Sequence, residues 1–229
     1  AAYAYELSPQ WRASASAGTA FRVPTLYQRF SIYGTPDLKA ESGRNIEFGL
    51  KHDTPTRHFA VVAYRNRVDN LITFVSGPGS CINGTGNFPG CYGNTARAQY
   101  RGITFSGDQR LGHTVLRAAL DLLDPRDLDT GKQLARRARR QATLGLDQRL
   151  ADWQLGAEVQ LVAHRYNNAT NTQRLGGYGL FNLSASKPLG RDWRLIARVD
   201  NLGDKAYETA RGYATAGRTV YLGLKWAPQ

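Results

Sequence analysis

The side chains able to do bond-making chemistry are thinly spread along this chain. Its four histidines, His52, His58, His113 and His164, fall in separate stretches, and no G-x-S-x-G turn presents a nucleophile. The chain is therefore read as a non-enzyme. Asp124, Asp127 and Asp129 are close in sequence, but calcium takes about 6–8 oxygens and their spacing matches no EF-hand loop. They read as turn formers and strand-end charges. Cys81 and Cys91 share one Gly/Asn/Pro-rich loop with no histidine nearby, which does not make a zinc site. A local disulfide, suited to an oxidising compartment, is preferred over two free thiols. No metal and no cofactor is expected. What remains are groups suited to binding. Tyr27, Tyr33, Phe88 and Tyr92 lie in long polar segments, and Arg136, Arg137, Arg139 and Arg140 form a basic run. A tyrosine offers a flat apolar ring with a hydroxyl, and an arginine fork suits phosphate oxygens.

The net charge is +12. That balance suits nucleic acid, anionic headgroups or an acidic ligand. Nucleic acid is set aside because the arginines are scattered over strands and loops with no recognition motif around them. No apolar run reaches the about 18 residues of a membrane-spanning helix. There is no methionine and no signal peptide, and the chain opens directly inside a strand. It reads as a piece of a longer, processed protein.

The elements that position these groups are strands. Period-two alternation predicts them over 1–7, 11–18, 44–52, 58–75, 94–108, 113–123, 139–150, 153–164, 178–187, 192–200 and 219–226. In the last, Val220, Leu222, Leu224 and Trp226 share one face and Thr219, Tyr221, Gly223 and Lys225 the other. The fourth shifts phase between Asn66 and Asn70, which predicts a bulge. Short and long connections alternate, five of each. Several strands exceed the about 5–6 residues usual in globular proteins and approach the about 9–11 that cross a bilayer. All four tryptophans, Trp11, Trp153, Trp193 and Trp226, fall at the short-turn end, as an interfacial girdle would. These features predict an all-β fold: an antiparallel transmembrane β-barrel segment in the bacterial outer membrane. A soluble β-sandwich would want shorter strands and no tryptophan rim. In the barrel, the apolar faces meet lipid. Arg97, Arg101, Glu158, Arg194 and Arg198 line a wet lumen. The Arg136–Arg140 run lies on the outer side, within reach of lipopolysaccharide phosphates. Eleven strands is odd where bacterial barrels are usually even, so residues 1–229 read as part of one barrel domain.

Particular segments then point to a family. FRVPTLYQRF, YGTPDLKAESGRNIEFGLKHD, AYRNRVDNLI and the ending VDNLGDKAYE…GYATAGR resemble the late-barrel region of TonB-dependent outer-membrane receptors. YRNRVDNLI, DTGKQLARRA and DNLGDKAYETARGYATAGR are most similar to the cobalamin (vitamin B12) receptors of that family. The resemblance implies about 11 strands of a 22-stranded barrel. It also implies an N-terminal plug, absent from these residues, through which TonB acts. The implied function is energy-coupled uptake of a large scarce nutrient, cobalamin first. Ferric siderophore or haem is the alternative ligand, and a passive pore or an enzyme the alternative class. By the resemblance, Tyr213 matches a substrate-contacting tyrosine and Arg136 a position facing the ligand mouth. Tyr27, Tyr33 and Tyr92 are further ligand candidates. Such barrels usually end in an aromatic residue, whereas here Ala227, Pro228 and Gln229 follow Trp226.

Overall fold

The computed structural model describes residues 1–76 and 90–228. Eleven strands form one antiparallel sheet in which each strand pairs with its neighbours in the chain order. They are β1 (Ala2–Ser8), β2 (Trp11–Arg22), β3 (Glu41–Thr54), β4 (Arg57–Ser76), β5 (Gly90–Leu111), β6 (Thr114–Asp127), β7 (Arg140–Leu150), β8 (Trp153–Val162), β11 (Tyr178–Leu189), β12 (Trp193–Asp200) and β13 (Thr219–Trp226). Between β8 and β11, the two-residue strands β9 (Arg165–Tyr166) and β10 (Arg174–Leu175) make a separate ribbon. Among the described residues the one helix is α1 (Leu26–Phe30), inside the first long connection. A capping box starts it: Thr25 Oγ1 accepts from the Gln28 N–H at 3.2 Å, and Gln28 Oε1 accepts from the Thr25 N–H at 3.0 Å.

The alternation of connections is borne out. The short ones are Pro9-Gln10, Pro55-Thr56, Gly112-His113, Ala151-Asp152 and 190–192, and the long ones are 23–40, 77–89, 128–139, 163–177 and 201–218. Several strands are longer than their alternation suggested. β2 runs to Arg22, β3 starts at Glu41, β5 at Gly90, and β6 reaches Asp127. All four extensions lie at the long-loop end. In β3 and β6 the added residues are mostly polar on both faces, and in β2 and β5 the neighbours Ala20-Phe21 and Cys91-Tyr92 put apolar atoms on both, so the side-chain contrast vanishes while the hydrogen-bond ladder continues. The bulge expected near Asn66–Asn70 takes another form. Asn70 adopts a left-handed φ of 57°, while the β4–β5 register is the same on both sides of it, Asp69 opposite Arg97 and Leu71 opposite Thr95.

Register sorts the residues into two faces, because directly opposed residues share a side. One face is apolar: Trp11, His52, Phe59, Gly107, Ala118, Leu144, Val159 and Phe181 form one continuous row across eight strands. The other is polar, with Asp53, His58, Asp108, Arg117, Gly145, Glu158 and Asn182 in the matching row. His58 Nδ1 lies 3.1 Å from Asp108, Arg117 pairs with Asp147, and Asn182 donates to Glu158 at 3.2 Å.

Among the described residues, no second layer packs against the apolar face. Phe48 is 61% exposed and Leu222 71%. The few buried apolar residues, such as Leu38, Ile72, Leu134 and Ala138, cluster where long loops fold back on strand ends. A sandwich would bury the large side chains instead. Glu158, Arg194 and Arg198 stand on the polar face as expected. Arg97 and Arg101 do not. In β5 they share the parity of Ile103 and Phe105, and Arg101 opposes Arg65 in the row directly beyond Ala63 and Ile103. They belong to the apolar face, past the end of its apolar band.

Candidate functional site

The long-loop end carries two separate clusters. The first gathers Tyr27, Tyr33 and Tyr92 around Phe74. Tyr92 meets Phe74 edge-on at 5.5 Å and Tyr27 at 6.1 Å, and Tyr33 meets Phe74 at 5.7 Å. These rings come from different elements: Tyr27 from α1, Tyr33 from the following loop, Phe74 from β4 and Tyr92 from β5. Tyr92 was expected in a loop. It lies in β5 because the ladder continues, pairing it with Phe74.

Backbone and amide groups hold the loop down. The Tyr92 N–H donates to the Tyr33 carbonyl at 2.9 Å, and Thr35 Oγ1 donates to the Tyr92 carbonyl at 2.6 Å. Asn94 Oδ1 accepts from the Lys39 N–H at 3.0 Å, and its Nδ2 donates to the Asn70 carbonyl at 2.6 Å. Glu41, at the base of this loop and beyond the apolar band, accepts from Arg22 Nε at 2.6 Å and from the Ile72 N–H at 2.7 Å. Burial alone would raise the Glu41 pKa. The hydrogen bonds from Arg22 and Ile72, with the Arg22 charge, outweigh it and hold the carboxyl below its usual range.

The second cluster centres on Asn167. Its Oδ1 accepts from Arg136 Nε at 3.2 Å and from the Arg211 N–H at 3.1 Å. Arg136 is fixed by a left-handed φ of 59° and by its N–H donating to the Tyr166 carbonyl at 2.6 Å. Beside it, buried Arg165 donates from Nη2 to the Glu208 carbonyl at 2.7 Å, and its guanidinium lies 5.4 Å over the Tyr178 ring. Tyr178 stacks on Tyr207 at 4.3 Å. Loops 128–139, 163–177 and 201–218 therefore meet as one unit. Tyr213 stands two residues beyond Arg211, 71% exposed. The fold thus brings Tyr27, Tyr33 and Tyr92 together, and places Tyr213 in loop 201–218, part of the loop unit of Arg136.

Phe74, Asn94, Arg165 and Asn167 were not singled out from sequence. Phe74 read as an ordinary strand apolar, and Asn167 is one of several polar residues in RYNNATNTQRLGG. Cys91 is buried and disulfide-bonded. Cys81 and Phe88 lie outside the described residues. The tryptophans do share one end: Trp11, Trp153 and Trp193 open strands after short turns, and Trp226 closes β13 opposite Trp193, their rings 6.4 Å apart. Among the described residues no group of three His, Cys, Asp or Glu side chains is placed to hold a metal.

An exposed apolar face, a polar opposite face and aromatic clusters at the long-loop end are what a receptor barrel presents. Residues 1–202 match the family described as TonB-dependent receptor-like, β-barrel. The chain belongs to that family. Solved structures of the same fold include the copper transporter OprC, at 20% identity and a TM-score of 0.82, covering 99% of this chain and 38% of that one. The ferric enterobactin receptor of Pseudomonas aeruginosa matches at 20% identity and 0.75, covering 98% and 39%. The FrpB iron transporter of Neisseria meningitidis matches at 18% and 0.73, covering 98% and 38%. The chain spans less than half the length of these structures. As a TonB-dependent receptor barrel segment, the sheet turns its apolar face to the outside of the barrel and its polar face to the lumen.

Proposed function

We propose that this chain forms the ligand-capturing and membrane-spanning part of an outer-membrane receptor for energy-coupled uptake of a large, scarce nutrient. The observation that carries this reading is the clustering of loop aromatics and loop-tying polar groups at the long-loop end of a sheet whose apolar face is left exposed by the described residues. Tyr27, Tyr33 and Tyr92 offer flat apolar area with hydroxyls, suited to a bulky amphipathic ligand. Arg136 and Tyr213 supply a cation and a further ring at the mouth. Release into the periplasm is assigned to a plug and its contact with TonB, which lie outside this barrel segment in the family. Trp11, Trp153, Trp193 and Trp226 anchor the short-turn end in the inner headgroup layer.

Cobalamin is the favoured ligand, on the resemblance of YRNRVDNLI and of DNLGDKAYETARGYATAGR. A ferric siderophore or another metal complex is the second reading, favoured by what the structurally similar receptors are named for. Equilibrium binding to the purified receptor, with cyanocobalamin and ferric enterobactin as probes, separates the two. Sub-micromolar cyanocobalamin affinity is expected. Affinity no better than micromolar would sink the cobalamin assignment, and tight binding of the iron complex would put the siderophore in its place.

A further inference from the structure

On the outer face, the apolar alternation ends together on β4, β5 and β6 and one row later on β3, and arginine takes over. The last wholly apolar row is Phe48, Ala63, Ile103 and Leu122, opposed across β3 to β6. The next row on that face is Ile46, Arg65, Arg101 and Asp124, and the one beyond is Arg44, Arg67, Gln99 and Arg126. These two rows hold five guanidinium groups and one carboxylate. The carboxylate is shared: Arg101 reaches Asp124 at 2.9 Å and Arg126 at 2.8 Å. Arg65 donates to the Gln99 amide oxygen at 2.8 Å. Among the described residues, Arg44, Arg65 and Arg67 have no ion-pair partner, and all three are exposed. Arg65 directly opposes Arg101, and Arg44 directly opposes Arg67. Like charges facing each other across a ladder destabilise it. Anions placed between them would relieve that repulsion.

The depth of these rows identifies the anion. On β5 the outward positions from Ile103 to Leu111 are apolar or glycine except Gln109. At about 3.4 Å per residue and a tilt of about 40°, that covers about 20 Å along the bilayer normal, close to the about 25 Å apolar band of such barrels. The arginines begin directly past it, at headgroup level on the long-loop side. There β4 and β5, 20 and 22 residues long, continue well past the about 9–11 residues that a span needs. A phosphomonoester carries more charge than a diester, with three strong acceptor oxygens, and guanidinium forks bind it bidentately. We infer that the Arg44, Arg65, Arg67, Arg101 and Arg126 rows are a docking surface for the phosphorylated lipid A headgroup of lipopolysaccharide. The inference rests on the outer-membrane orientation proposed above, but not on the identity of the transported ligand.

The test measures lipid A retained by the purified receptor, reconstituted with intact lipid A, enzymatically dephosphorylated lipid A, or phosphatidylglycerol. The unaltered receptor should retain intact lipid A at least tenfold over the other two, and lose it as salt rises. Equal retention of all three overturns the proposal without any variant being made. R65Q/R67Q/R101Q/R126Q should lower intact lipid A retention about tenfold, and the polar-face set R117Q/R194Q/R198Q should leave it unchanged. Loss in both sets, or in neither, also overturns it. Heat-modifiable gel mobility checks that each variant is folded. The paired changes R65Q/R67Q and R101Q/R126Q divide the loss if the fourfold variant does not fold. Nutrient binding, measured on the same preparations, reports separately on the receptor reading.

Discussion

Glu41 ties three segments at once: its own strand, Arg22 at the end of β2 and the Ile72 amide of β4. Glu41→Ala leaves the buried Ile72 N–H without its acceptor, a local loss of about 1–3 kcal/mol. The Arg22 contribution is small because that side chain is half-exposed and solvent screens its charge. Hydrogen exchange at Ile72 should speed up about tenfold or more. Because the folded pKa of Glu41 is depressed, its contribution is complete above the ordinary carboxylate value of about 4.3 and fades as pH falls through the lower folded value. Ile72 protection should therefore hold between about pH 6 and 8 and drop below about pH 4, and Glu41→Gln should remove that dependence. Asn167 plays a corresponding part in the second cluster, accepting from both Arg136 and Arg211. Asn167→Ala frees both partners, and equilibrium ligand affinity should weaken about tenfold while the unfolding midpoint stays unchanged. An unaltered affinity would remove this cluster from the binding site.

At the scale of the strand, side-chain packing separates glycines that tolerate a side chain, such as Gly18 on the polar face, from those that do not, such as Gly107 on the apolar face. Gly107 sits under the Phe59 ring, and an added Cβ would also come within 2.6 Å of the His58 carbonyl oxygen. Gly107→Ala must push β4 and β5 apart and should destabilise the sheet by about 1–3 kcal/mol. Gly18 in β2 has nothing within 4 Å of its added Cβ. There alanine should be neutral, or stabilising by up to about 1 kcal/mol, because glycine loses more chain entropy on entering a strand. Urea unfolding of the receptor in lipid vesicles compares the two substitutions. Equal effects would mean that Phe59 does not pack on Gly107 in the bilayer.

For the molecule as a whole, the exposed apolar face has to be covered by lipid, and the tryptophans report where that cover ends. Trp11, Trp153, Trp193 and Trp226 share one end of the sheet, and Trp193 and Trp226 face each other across β12 and β13. In vesicles with lipids brominated near the headgroup, fluorescence of all four should be quenched strongly. Bromine at the chain ends should quench them weakly. Strong quenching from the chain ends would place the short-turn end inside the bilayer and dismiss the girdle.

The sequence by itself determined the strands, their faces and the order of the connections. Period-two alternation is written residue by residue, and it is sharp wherever one side meets an apolar medium, as in Trp153 to Leu161. It lost the extensions at Glu41 and Asp127, where both faces are mostly polar, and at Gly90, where Cys91 and Tyr92 put apolar atoms on both, because there the faces no longer contrast and only the backbone ladder continues. It also set Arg101 on the lumen side, although Arg101 lies two residues from Ile103 and must share its face. Reading β5 outward from Ile103 corrects that, and register alone reveals that Arg65 is its partner. Tyr27, Tyr33 and Tyr92 were legible as single candidates by type and loop context. Their convergence on Phe74, and the meeting of Arg136 with Arg211 at Asn167, were decided only by the tertiary structure. Those contacts join residues from different connections, and their geometry is set by how the loops fold over strand ends, which local pattern does not encode.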